Sequence, residues 1–152
     1  MVCSVDATAS QIGIDVLTRG GNAVDAALAT NAALAVTQQH MCGMGGDLFA
    51  IVHQPGQPPV VLNASGRAGS GAQPDRLRSR NLTAIPHHGD IAAVPVPGCV
   101  DGWIALHERF ATIPLSELLQ PASALATDGF AASPLLAIMS TSVSDVLSLI
   151  HI

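Results

Sequence analysis

Charge is scarce in this 152-residue chain. Asp, Glu, Lys and Arg make up 11% of it, where ordinary soluble domains carry about 25%. Lysine is absent, and all six basic residues are arginine. With a net charge of −5, the composition argues against a nucleic-acid partner, because phosphate contact needs clustered cations. Arg76, Arg78 and Arg80 come nearest to a cluster, and they read as a solvated loop or short helix face. Cys3, Cys42 and Cys99 are an odd, scattered set without zinc spacing, so reduced, buried thiols are expected. No uninterrupted run of about 18 apolar residues occurs, so no membrane span is expected. Met1 leads straight into polar sequence without the charged and apolar regions of a leader peptide, which is compatible with a cytoplasmic setting.

Recognisable catalytic sets are also missing. There is no Gly-x-Ser-x-Gly elbow. His40, His53, His87, His88, His107 and His151 make no HExxH or similar array, so neither a metal nor a cofactor is expected. The carboxylates form no acid–base pair that spacing identifies. GMGGD, residues 43–47, looks like a nucleotide loop, yet it precedes an expected strand. A phosphate loop follows a strand and opens a helix.

What the chain has in quantity is Ala, Gly and Val, and 49% of it is hydrophobic. Such a surface suits coverage by further protein. A first helix, capped by Ser4 or Asp6, carries Ala9, Ile12, Ile14, Val16 and Leu17 and stops at Gly20–Gly21. Asn22 caps a second, from Ala23 to about Val36, with Asp25 at the positive end of its dipole. That helix is apolar nearly all round and is therefore expected to be buried. After the glycine-rich bend, Leu48–Val52 reads as a buried strand and Val60–Asn63 as its hairpin partner. Pro74–Arg80 suits a helical turn or two, and Ile91–Val96 a short extended piece. A third helix, about Cys99–Phe110, would bury Val100, Trp103, Ile104 and Leu106. A fourth starts with Pro114 as its first helical residue, and Pro121 should kink or break it. Ser133–Pro134 opens a last helix bearing Leu135, Ile138, Met139, Val143, Val146, Leu147 and Ile150. The SLIHI ending, uncapped, reads as cut rather than finished. The fold class is α/β, more closely α+β: helix-rich with one short hairpin.

Arg67 is the best candidate for chemistry. It follows a strand end in the glycine-rich stretch NASGRAGSG, apart from the arginine cluster. A guanidinium there suits two-point binding of a carboxylate. Ser65 and Asn63 could add hydrogen bonds or simply shape the turn. An ordinary surface arginine is the plain alternative.

Several blocks together carry a family resemblance: MVCSVDATASQIGIDVLTRGG, GGNAVDAALATNAALAV, GMGGDLFAIV, and VPVPGCVDGWIALHERFATIPLSELLQPASALATDGFAAS. Their order and spacing resemble the gamma-glutamyltranspeptidase family over roughly residues 1–147. The resemblance implies an N-terminal nucleophile hydrolase, an αββα sandwich, with residues 1–152 an incomplete N-terminal segment of the large subunit. It also implies a self-cleaving proenzyme whose small subunit begins with an attacking threonine, the free α-amino group acting as base. None of this chain's threonines inherits that role, so no catalytic residue is assigned.

The implied partners are the remainder of the large subunit, the small subunit, and a small amide such as glutathione. Transpeptidases of the family place an arginine two residues past an Asp or Asn. Counted from Asn63, that position is Ser65, with Arg67 two residues further. The SGRA wording is closer to the family's broader hydrolases, including cephalosporin and glutaryl acylases. Three functions follow: a segment of a gamma-glutamyl or related amide transferase or hydrolase, an inactive truncated remnant, or a module that binds small anions. The missing sheet strands imply a bare edge at Leu48–Val52, with poor solubility or a molten state.

Overall fold

The computed structural model describes residues 1–86 and 90–141. These divide into two compact units, one formed by residues 1–43 with the chain from Trp103 onward, the other by Met44–Gly102.

The first unit begins with α1 (Ala7–Thr18) and α2 (Ala23–Thr37). Asp6 caps α1, its carboxylate accepting from the Ala9 amide at 2.8 Å. Ser4, the other expected cap, instead bonds the Asp6 carbonyl and the Ser10 hydroxyl. Asn22 and Asp25 make a reciprocal capping box at the start of α2, each satisfying amides that the first turn leaves free. The two helices approach closely at Gly13. A Cβ there would lie 2.2 Å from Thr30 Oγ1 and 2.9 Å from Val2 Cγ1, so the missing side chain is what admits the contact. As its composition requires, α2 is mostly buried, with Ala26, Leu28, Ala29, Ala32 and Ala33 in the core beside Val16 of α1.

Helix α3 (Pro74–Ser79) belongs to the second unit. Helix α4 (Cys99–Phe110) starts in the second unit and ends in the first. It buries Cys99, Trp103 and Leu106 but leaves Val100 and Ile104 exposed, contrary to expectation. Positions 99, 103 and 106 share one stripe of a 3.6-residue helix, and 100 and 104 sit about a hundred degrees round from it. Helix α5 (Leu115–Asp128) buries Leu118 and Ala122 and ends at Gly129, whose φ is +85°. One expectation fails here: Pro114 is the extended N-cap rather than the first helical residue. Of the two outcomes expected at Pro121, the break does not occur, since the helix runs through it. The packing of the adjacent Ala122 and of Leu118 holds the helix through the missing hydrogen bond.

Ser133 caps α6 (Pro134–Thr141), accepting from the Leu136 amide at 3.1 Å. That helix turns Leu136 inward and exposes the expected stripe of Leu135, Ile138 and Met139. Val143, Val146, Leu147 and Ile150, and the histidines at 87, 88 and 151, lie outside the described residues.

The second unit holds an antiparallel hairpin, β1 (Leu48–Val52) and β2 (Val60–Ala64), paired from Leu48–Ala64 to Val52–Val60. The expectation of a buried strand is corrected. Only Leu48 is buried, while Phe49, Ile51 and Val61 are 63%, 75% and 70% exposed. These three share one face by the two-residue period of a strand, and among the described residues no further strand pairs with either edge. On the other face Gly102 of α4 comes so close that a Cβ would lie 2.9 Å from Ala64 Cβ.

The arginine cluster is the solvated face expected: Arg78 pairs with Asp75 at 2.8 Å and Arg80 with Asp90. That pairing lowers the Asp90 pKa and raises that of Arg80. Residues 91–93 form a 3-10 turn capped by Asp90, not an extended piece, because the Asp90 carboxylate takes the Ala92 amide. None of the three cysteines is in a disulfide, and only Cys99 is buried. Cys3 is exposed in the lead-in segment before α1, and Cys42 is partly covered, its thiol pKa raised by that burial.

Candidate functional site

The candidate residues all lie in the second unit, where β2 runs out into its following loop. Asn63 is the outward residue opposite Phe49 in the hairpin register. Its side-chain oxygen accepts from the Ser65 amide at 3.1 Å, an Asx turn that bends the chain as soon as pairing ends. The Ser65 hydroxyl makes no hydrogen bond of its own among the described residues. Gly66 follows at φ +81°, a conformation that disfavours any side chain.

Arg67 then re-enters ordered pairing. Its amide donates to the Val96 carbonyl at 3.2 Å, and the Val96 amide donates to the Arg67 carbonyl at 2.8 Å. The two residues form an isolated antiparallel bridge. Gly66 and Gly98 permit this contact. A Cβ on Gly66 would sit 2.0 Å from the Val96 carbonyl oxygen, and one on Gly98 would sit 2.2 Å from that of Ala64. Gly46, at the end of the glycine-rich bend, accepts from the Gly98 and Cys99 amides at 3.3 and 3.0 Å. One carbonyl thereby ties that bend to the start of α4 and satisfies two amides the helix leaves free.

The Arg67 side chain points into an exposed region. Five of the six arginines are engaged: Arg19 with Glu117, Arg78 with Asp75, Arg80 with Asp90, Arg76 with the Gly71 carbonyl, and Arg109 over the Phe110 ring. Among the described residues the Arg67 guanidinium has no such partner. It offers a fixed main-chain stem and an uncommitted planar donor fork, the geometry a carboxylate accepts in two places. The structure brings Asn63 and Ser65 into direct contact and sets Arg67 on the next turn.

Val96 and Gly98 have their signal in the Pro95–Val96–Pro97–Gly98 run, where two prolines hold the intervening valine extended, and Gly46 has its own in the glycine-rich bend.

Elsewhere, a groove of about 490 Å³ in the first unit is lined by Ile12, Asp15, Thr18, Arg19 and Pro121. Its arginine is already paired with Glu117 at 3.4 Å, and its charged groups are exposed, so it lacks the convergent polar set of a binding site. Among the described residues no three metal-ligating side chains converge. None of their helices is long and apolar enough to cross a membrane.

The family model described as gamma-glutamyltranspeptidase matches residues 9–150. The chain belongs to the gamma-glutamyltranspeptidase family. It is 42% identical over 134 residues to the glutathione hydrolase-like YwrD proenzyme of Bacillus subtilis (strain 168), a match covering 88% of this chain and 25% of that protein. The chain thus spans about a quarter of the length of this curated relative. Among solved structures, Helicobacter pylori gamma-glutamyltranspeptidase superposes with a TM-score of 0.87 at 33% identity, covering 95% of this chain and 42% of that one. Cephalosporin acylase from Bacillus halodurans gives 0.83 at 34% identity, covering 93% and 26%. The helices and the two-stranded hairpin are therefore a partial α/β fragment of the kind found in gamma-glutamyltranspeptidases and other N-terminal nucleophile hydrolases.

Proposed function

We propose that this chain is the acid-recognising segment of an enzyme that transfers or hydrolyses an acyl amide, with Arg67 binding the acyl group's carboxylate and Ser65 and Asn63 shaping that site. The single observation that carries this reading is the Arg67 guanidinium: exposed, uncommitted, and mounted on a backbone paired with Val96. In this reading the attacking threonine lies in polypeptide beyond the aligned quarter, and the rest of the large subunit and the small subunit complete the enzyme. Gamma-glutamyl amides such as glutathione supply a carboxylate of the required kind, and the names of the relatives support that class. The chain by itself binds and does not turn over.

One observation favours a second specificity. Ser65 occupies the position, two residues past Asn63, where the resemblance to transpeptidases calls for arginine. A hydroxyl cannot replace the guanidinium fork, and Arg67 stands one turn further along. An acyl group of different length, as in the amides cleaved by acylases, would then be preferred over gamma-glutamyl. Titration of the chain with glutarate and with glutathione, followed by nuclear magnetic resonance at Arg67, tests both. Saturable shifts that vanish in Arg67→Gln support the reading, and the tighter ligand identifies the specificity. Shifts unchanged by the substitution would overturn it.

A further inference from the structure

Val96 has an unusual setting. It lies between Pro95 and Pro97, so its amide is the only one in three consecutive residues. That amide is spent on the Arg67 carbonyl at 2.8 Å, and the Val96 carbonyl takes the Arg67 amide at 3.2 Å. The Val96 side chain, by contrast, is 56% exposed. The residue therefore contributes through its backbone rather than through core packing.

The flanking prolines set that backbone in advance. Proline fixes its own φ, and it disfavours the helical region for the residue before it. Both Val94 and Val96 precede a proline, and Val94 is extended, at φ −99° and ψ 111°. Gly98 then closes against the Ala64 carbonyl and the Gly66 amide, at distances no Cβ would allow, and its own amide reaches Gly46.

We infer that residues 95–98 are a preset clip that positions Arg67. This rests on the reading of Arg67 as the carboxylate-binding residue. Val96 and Gly98 are positioning residues: they touch no ligand and act by holding the Arg67 main chain. Without the clip, Gly66 and the glycines at 69 and 71 would let the arginine sample many directions. Each such direction would reduce the fraction of molecules competent to bind.

The test uses the whole chain and glutarate as probe. Val96→Pro deletes the amide that bonds Arg67 while changing no buried side chain. Glutarate affinity is expected to fall about fivefold or more, the scale of one lost backbone hydrogen bond. Because a third consecutive proline could disturb the loop, the double variant Pro95→Ala/Pro97→Ala serves as the second probe. It keeps every hydrogen-bonding group and only frees Val96. Exchange of the Arg67 amide hydrogen should then quicken about tenfold, the scale of two prolines' effect on chain freedom, and glutarate binding should weaken with it. The amides of Ile51 and Val61 in the hairpin should exchange at the unaltered rate, which a general loss of structure would not allow. If the unaltered chain binds glutarate and both variants bind equally well with unchanged Arg67 exchange, the clip is wrong and the Arg67 reading stands. If the unaltered chain gives no response, the Arg67 reading fails and the clip loses its purpose with it.

Discussion

Asp25 and Thr112, 87 positions apart, are joined twice: the Thr112 amide and hydroxyl donate to the two oxygens of the one carboxylate, at 2.9 and 2.7 Å. The Ile113 amide and the Asn22 amide complete its shell at 3.2 and 2.8 Å. Asp25 is 0% exposed, so a helix-capping residue also anchors the turn between α4 and α5. Burial alone raises its pKa. The Thr112 hydroxyl and the amides of Asn22, Thr112 and Ile113 outweigh that and leave the carboxyl below its ordinary range.

A depressed carboxyl pKa stabilises the fold above the unfolded value, near 4, and that contribution is lost as pH falls through the folded value. The urea midpoint followed by fluorescence of Trp103 should therefore be level from pH 7 to about 5 and drop below about pH 4. Asp25→Asn replaces an acceptor with a donor opposite other donors and should cost about 2–4 kcal/mol. A midpoint that rises on acidification would contradict the assignment.

Trp103 is the only tryptophan, and its indole donates to Asn31 Oδ1 at 2.7 Å. Trp103→Phe would strip Asn31 of that donor and leave space in the core, costing about 2–3 kcal/mol. Loss of helical circular dichroism in urea measures it. An unchanged midpoint would mean that the contact carries no stability.

Pro121 lacks the amide that would bond the Glu117 carbonyl within α5. Pro121→Ala restores that bond at an interior position and should stabilise the first unit by about 1–2 kcal/mol, the helix gain exceeding the loss of proline's stiffness in the unfolded chain. A destabilised variant would show that proline packing against α1 outweighs the missing bond.

The exposed hairpin face of Phe49, Ile51 and Val61 should cause the chain to associate. Light scattering and dye binding should reveal this, and the combined change of Ile51 and Val61 to Thr should reduce both while keeping strand propensity. A chain that stays monomeric and melts in one sharp transition would contradict the bare-face account.

Helix order and the hairpin were readable from spacing and caps: Asn22 and Gly20 acted as composition dictates, and the run at Leu48 formed a strand, though one largely exposed. What escaped was set by tertiary packing. Asp25 reads as a dipole partner because Thr112 lies far along the chain. Val100 reads as core because which edge of α4 turns inward depends on Gly102 meeting β1 and β2. Arg67 could be picked out as a lone arginine in a glycine-rich loop, but its anchoring at Val96 is a long-range pairing that local pattern does not encode.

Calorimetric titration of the chain with glutathione and with glutarate tests the central claim, because binding of either gives saturating heat pulses and turnover gives sustained power. The account predicts saturating heat without sustained power, abolished by Arg67→Gln. No heat with either ligand, or continuous power from the chain alone, would contradict it.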